Sequence, residues 1–256
     1  MSRPRLIARL DIKGPKLIKG VHLEGVRVIG APNEYALRYY QEGADELLYM
    51  DAVASLYGRN SLSDVVKDTA SNVFIPLTVG GGLRSVGDVE KMLHAGADKI
   101  AINTAAIQDP TLLTKIAKAF GSQCVVLQID AKRTSKTSWE AYIDGGREKT
   151  GIDVVQWVKK GQDLGAGEIL LTSIDQEGTR KGMDLDLIKT VTNLASIPVI
   201  SSGGIGKIED ASDAFIKGQA DAIAAADILH YKRASIANMR SHIHAQGIPV
   251  RSVVTS

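Results

Sequence analysis

Two aspartates close apolar runs in nearly the same wording, Leu10-Asp11-Ile12-Lys13 and Ile129-Asp130-Ala131-Lys132. Two carboxylates sharing one site can divide general acid and general base work if their surroundings separate their proton affinities. A lone strand-end aspartate caps a helix or holds loop amides just as readily. The repeated setting, lysine included, favours catalysis here. Other apolar runs also end on polar or glycine residues: Asp51, Gly80-Gly81-Gly82, Asn103-Thr104, Thr172 with Asp175, Ser202-Gly203-Gly204, and Asp227. Gly81 and Gly82 let bare amides approach an anion ahead of a helix, and Asn103 and Thr104 add donors from the next loop. Ser202, Gly203 and Gly204, leading into a helix near Glu209, repeat the device. A tight turn uses glycine without any ligand, but two such clusters in matched places predict an elongated ligand with a phosphate at each end. Lys19, in the glycine-bearing stretch Lys13 to Gly25, either reaches over the site or is a solvated loop lysine.

Several other chemistries find no support. The histidines at 22, 94, 230, 242 and 244 show no spacing with convergent carboxylates, so no metal site is expected and all five are read as surface residues. No nucleophile-elbow motif supports a Ser/His/Asp arrangement. Cys124 opens an apolar run and reads as a small buried hydrophobe. No cofactor is implied.

The elements that must position these residues are short apolar runs alternating with helical-period stretches such as Val86 to His94 and Leu112 to Phe120. Strands are expected near Leu6–Leu10, Glu46–Met50, Ile75–Val79, Lys99–Ile102, Val125–Ile129, Ile169–Thr172, Pro198–Ser201 and Ala222–Ala225. Eight βα units in 256 residues predict an α/β fold, a closed (β/α)8 TIM barrel in one domain. Sites in such barrels lie at the C-terminal strand ends, where the polar residues above fall. The chain also repeats on itself. Gly43-Ala-Asp-Glu-Leu-Leu returns at Gly165, and Ile75-Pro76 with Gly81-Gly82 returns at Ile197-Pro198 with Gly203-Gly204, both at an offset of 122; the aspartate runs recur at 119. Two half-barrels, approximately 1–122 and 123–256, are the expectation. Asp11 and Asp130, on the first and fifth strands, then face one another across the mouth.

Composition is that of an ordinary globular chain, 44% hydrophobic and 23% charged. A net charge of +2 from 31 basic and 29 acidic residues predicts neither a nucleic-acid nor an anionic-membrane partner. The N-terminus lacks an apolar targeting core, and no segment approaches the roughly 20 apolar residues of a membrane span. A cytoplasmic protein is expected.

The runs Leu10-Asp11-Ile12-Lys13 with Lys19-Gly20, Thr78-Val79-Gly80-Gly81-Gly82, Ile102-Asn103-Thr104-Ala105-Ala106, Ile129-Asp130-Ala131-Lys132-Arg133 and Gly165 to Asp175 resemble the cyclase subunit of imidazole glycerol phosphate synthase, from about Leu6 to Arg251. The resemblance implies an enzyme of histidine biosynthesis, a lyase that uses ammonia from a glutaminase partner subunit. It would convert a ribulosyl-formimino aminoimidazole carboxamide ribonucleotide to imidazole glycerol phosphate and AICAR. It implies Asp11 and Asp130 as acid and base. One phosphate would sit at Gly81, Gly82, Asn103 and Thr104, and the other at Thr172, Gly178, Ser202, Gly203, Gly204 and Asp227, with Lys19 above. The family's ammonia gate maps to Arg5, Glu46, Lys99 and Glu168, which could equally be a purely structural salt-bridge layer.

Some positions depart from the family pattern. Strand alternation puts Arg9 and Gln128 on the same interior face as the aspartates, where the family carries small residues. A buried arginine needs a partner, and Asp11 is the nearest. Glu177 precedes Gly178 where the family has aspartate, and Asp227 replaces its serine; each carboxylate would repel a phosphate unless, in the case of Asp227, it caps the short helix that follows. Val53 replaces a usual threonine, and the alignment of Thr134 to Ser138 is open. Two alternatives therefore stand beside the cyclase: a paralogue using ammonia on another phosphorylated or nucleotide-linked substrate, such as a surface sugar, and a non-catalytic barrel that activates a glutaminase.

Overall fold

The computed structural model describes residues 3–52, 54 and 62–251, so Val53 lies outside the described residues. Eight parallel strands close on themselves: β1 (Arg5–Lys13), β4 (Glu46–Asp51), β5 (Leu77–Gly80), β6 (Lys99–Ile102), β7 (Val125–Arg133), β10 (Glu168–Ser173), β11 (Val199–Ser202) and β12 (Ala222–Ala225), with β1 pairing β12 and β10 pairing β7. This is a (β/α)8 barrel. The strands read as continuous apolar runs because both faces are covered. On β1, Leu6, Ala8, Leu10 and Ile12 pack outward under the helices. Ile7 points inward and meets Leu48, Met50, Ala101, Val126, Leu170 and Ile200 in a separate apolar layer filling the cylinder.

Outside the cylinder run α1 (Pro32–Gln41), α2 (Ser63–Asn72), α3 (Val86–His94), α4 (Thr104–Gln108), α5 (Thr111–Phe120), α6 (Val154–Asp163), α7 (Leu185–Thr192), α8 (Ile208–Ile216), α9 (Asp227–His230) and α10 (Ile236–Ala245). Their starts follow local capping chemistry: Ser85, Asp153, Asp184 and Ser235 each accept a hydrogen bond from an amide of the first turn. Among the described residues no helix is long and apolar enough to cross a membrane.

The stretch Lys13 to Gly25, read from sequence as a loop, is instead mostly strand. Past the barrel rim β1 turns back into the antiparallel hairpin β2 (Lys16–Val21) and β3 (Glu24–Gly30). After the fifth barrel strand β7 does the same, into β8 (Trp139–Ile143) and β9 (Glu148–Asp153). Thr134 to Ser138 forms the turn between β7 and β8, with the Thr134 amide donating to the Ser138 carbonyl at 3.0 Å. Both long strands overrun the expected ends because their last residues also pair with these hairpins, Asp11 and Ile12 with β2 and Asp130 and Ala131 with β8.

Candidate active site

Asp11 and Asp130 stand at the mouth ends of β1 and β7 and line one cavity of about 370 Å³. Both are buried. Arg9, two residues before Asp11, points the same way and donates from Nε to Asp11 Oδ1 at 3.0 Å. Its Nη1 reaches Thr172 Oγ1 at 3.1 Å and Ser202 Oγ at 3.0 Å. Lys19 Nζ lies 3.9 Å from the other Asp11 oxygen. Burial pushes the Asp11 carboxyl up, but Arg9 and Lys19 beside it outweigh burial and hold it below the ordinary carboxylate value.

Asp130 has different neighbours. Gln128, again two residues earlier, donates to its oxygens at 3.1 and 3.3 Å, and Asn103 Nδ2 donates at 2.9 Å. Burial dominates here, and neither the two amides nor the more distant Arg9 charge offsets it, so Asp130 is pushed up. Two buried cations, Arg9 and Lys19, are matched by Asp11 and Glu177, which pairs with Lys19. Asp130 is met by amides instead, with burial raising its proton affinity. The surroundings push the proton affinities of the two aspartates in opposite directions.

The two hairpins wall the cavity. The first crosses toward the loop after β10: the His22 amide donates to the Glu177 carbonyl at 2.8 Å, and a Cβ on Gly178 would come within 2.6 Å of the Gly20 carbonyl. That closure carries Lys19 inward, so it is a buried site residue rather than a solvated lysine. The second hairpin leans on the first cradle, where the Asp144 amide donates to Thr104 Oγ1 at 3.1 Å and Asn103 Nδ2 donates to the Tyr142 carbonyl at 3.0 Å.

Gly81, Gly82, Asn103 and Thr104 all line the cavity. Gly81 sits at φ +95, and a Cβ there would lie 2.3 Å from the Asp51 carbonyl, so the turn demands glycine on steric grounds as well. The second cluster lies apart. Ser202, Gly203, Gly204, Gly178 and Asp227 line a separate pocket of only about 20 Å³. Thr172, expected beside them, is fully buried with its hydroxyl engaged by Arg9. The two carboxylates expected to face a phosphate are neutralised instead: Glu177 by Lys19, and Asp227 by Arg180 at 2.8 Å and by Arg233. Asp227 does not cap the short helix, whose cap position is Ala226 with no side-chain bond.

At the opposite end of the cylinder Arg5, Glu46, Lys99 and Glu168 form a closed ring. Arg5 bonds Glu46 at 2.5 Å and also Glu168, and Lys99 bonds Glu46 at 3.1 Å and Glu168 at 3.0 Å. The apolar interior layer separates this ring from Arg9 and Gln128. Among the described residues no group of three or more His, Cys, Asp or Glu could hold a metal ion.

Residues 5–235 match the family model described as histidine biosynthesis protein. The chain belongs to that family. It is 69% identical over 210 residues to the imidazole glycerol phosphate synthase subunit HisF of Legionella pneumophila, an alignment covering 82% of this chain and 99% of that protein.

Sequence reasoning missed two arrangements in and around this family member's site. Arg180 and Arg233 carry no motif of their own, and their convergence on Asp227 is a tertiary fact. His230, expected at the surface, is buried, with Nδ1 2.6 Å from the Tyr39 hydroxyl and its ring stacked on Tyr39. Burial lowers its pKa to about 4, so it is neutral at physiological pH. Its i, i+3 offset from Asp227 on a four-residue helix was the available signal, but too short to show a buried face.

Proposed function

We propose that this chain is the cyclase subunit of imidazole glycerol phosphate synthase, joining ammonia from a glutaminase partner to the ribulosyl-formimino aminoimidazole carboxamide ribonucleotide and releasing imidazole glycerol phosphate and AICAR. The single observation that carries this reading is the pair Asp11 and Asp130, set in one cavity with proton affinities pushed in opposite directions. Ring closure after ammonia addition needs a proton removed from nitrogen and one delivered to a departing group. Asp11, held ionised by Arg9, suits removal. Asp130, its proton affinity raised by burial, suits delivery, and Gln128 with Asn103 orients it. Gly81, Gly82, Asn103 and Thr104 supply donors for one phosphate, and the cluster at Ser202, Gly203 and Gly204 for the other. The organisation in two half-barrels, approximately 1–122 and 123–256, accounts for having two such cradles.

Ammonia would enter at the ring of Arg5, Glu46, Lys99 and Glu168 and cross the apolar layer to emerge beneath Arg9. The neutral molecule is suited to that route, because an ammonium ion would lose its hydration in the apolar stretch at a cost of several kcal/mol. The test supplies the full chain with the ribonucleotide substrate and an ammonium salt at raised pH and separates the products. Both products are expected, and Asp11→Asn and Asp130→Asn each remove them. A folded wild-type protein that forms neither product sinks the proposal.

A further inference from the structure

The second glycine cluster contains a carboxylate where an anion site would want none, and that carboxylate is gripped as a ligand would be. Arg180 presents its fork to Asp227, Nε to Oδ1 at 2.8 Å and Nη2 to Oδ2 at 3.2 Å. Arg233 closes on the same Oδ1. Two guanidiniums on one carboxylate leave one positive charge in excess. Burial and the neighbouring Arg180 charge both pull Arg233 below its ordinary proton affinity, as expected for cations crowded together.

The pair is also a partition. Arg180 and Asp227 line the pocket of about 20 Å³ at Gly203 and Gly204, room for about one water. The same two residues line an open groove of about 750 Å³ on the outer side, beneath the first hairpin. The backbone of Arg180 is fixed: it lies at φ +62, and its carbonyl is packed so closely that a Cβ on Gly206 would come within 2.2 Å. Its side chain is half exposed, resting over the Tyr231 ring at 5.3 Å. A pinned backbone with a free arm can change partners without moving the loop. A phosphate dianion offers these arginines more charge and more acceptor oxygens than a carboxylate does.

We propose that Asp227 is an internal competitor for the second cradle, and that a terminal phosphate of the substrate binds there by taking Arg180 and Arg233 from it. The inference rests on the cyclase reading for the identity of the substrate, but not for the exchange itself. Arg180 and Arg233 then become the residues that recognise the second phosphate, and Asp227 sets how weakly the empty cradle holds stray anions.

The test titrates the full chain with inorganic phosphate and follows the backbone amides of Gly203 and Gly204 by NMR, with those of Gly81 and Gly82 as an internal control for folding and for the first cradle. Asp227→Asn, which keeps shape and removes charge, is expected to tighten binding at Gly203 and Gly204 by about fivefold, the size of one half-exposed ion pair. Adding Arg180→Met to that variant is expected to return affinity to the wild-type level or below. Unchanged or weaker binding in Asp227→Asn, with the first cradle intact, overturns the inference, as does an absence of phosphate response at Gly203 and Gly204 in every protein tested. Turnover separates the two claims. An active wild type without the Asp227 effect sinks this inference alone, whereas the Asp227 effect without any turnover sinks the cyclase reading alone.

Discussion

Arg9 Nε donates to Asp11 Oδ1 at 3.0 Å, so the carboxylate on the first barrel strand belongs to a buried ion pair while Asp130, on the fifth, is met by amides alone. The symmetry of the two strands extends to the placement of the aspartates and stops at the residue two positions earlier. Charge at that position distinguishes the two strands.

Arg9→Met therefore leaves Asp11 and Glu177 with Lys19 as the nearest buried cation. Stability should fall by about 3 kcal/mol, the usual cost of removing one member of a buried pair, as read from urea unfolding. The Asp11 carboxyl, followed by carbon-13 NMR, should titrate at higher pH than in the wild type. No upward movement would show that Arg9 does not hold the proton off Asp11.

Asp130→Asn should act in the opposite sense on stability. The folded protein raises the Asp130 pKa, so ionising it destabilises the fold as pH rises from the ordinary carboxylate range through the folded value. The variant is then more stable than wild type near neutral pH, and the advantage fades as pH falls below the unfolded value. Thermal unfolding from acid to neutral pH checks the sign; a variant weaker at neutral pH contradicts it.

Much of this was legible in the chain, and the parts that were not share a physical cause. Eight apolar runs marked the barrel strands because burial on both faces leaves no room for polar alternation, and Arg9 was placed beside Asp11 by strand period alone. The first hairpin was read as a loop because Lys16, Lys19 and Gly20 break its apolar pattern: it pairs by backbone hydrogen bonds and buries Lys19 against Glu177, a residue 158 positions away. Thr172 was expected to meet a phosphate, but its hydroxyl was claimed by an arginine 163 positions earlier. His230 and the Arg180, Asp227 and Arg233 cluster likewise depend on contacts between distant loops.

The charged ring provides a prediction independent of catalysis. Lys99→Met leaves Glu46 and Glu168 sharing Arg5 alone and should cost about 2 kcal/mol. Adding Glu46→Gln restores neutrality, so the double variant should be more stable than the sum of the single changes by about 1 kcal/mol or more. Strict additivity in denaturant unfolding would indicate that the four residues do not act as one network.

Gly81→Ala meets two obstacles at once, a φ of +95 and a Cβ placed 2.3 Å from the Asp51 carbonyl. A loss of at least about 2 kcal/mol is expected from backbone strain alone. The first cradle should deform with it, seen as weaker phosphate binding at Gly82. A variant as stable as wild type would mean the turn can relax around a side chain.

The two hairpins rise from the barrel rim after the first and fifth strands and add nothing to the closure of the cylinder, since each pairs only with the outer end of one barrel strand. Provided the buried pair of Lys19 with Glu177 is kept, their length and composition can therefore change without reopening the eight-strand ring. Such a layout makes the walls of the mouth interchangeable parts on a fixed chassis, and a graft of either hairpin should transplant ligand preference while leaving the folding unit intact.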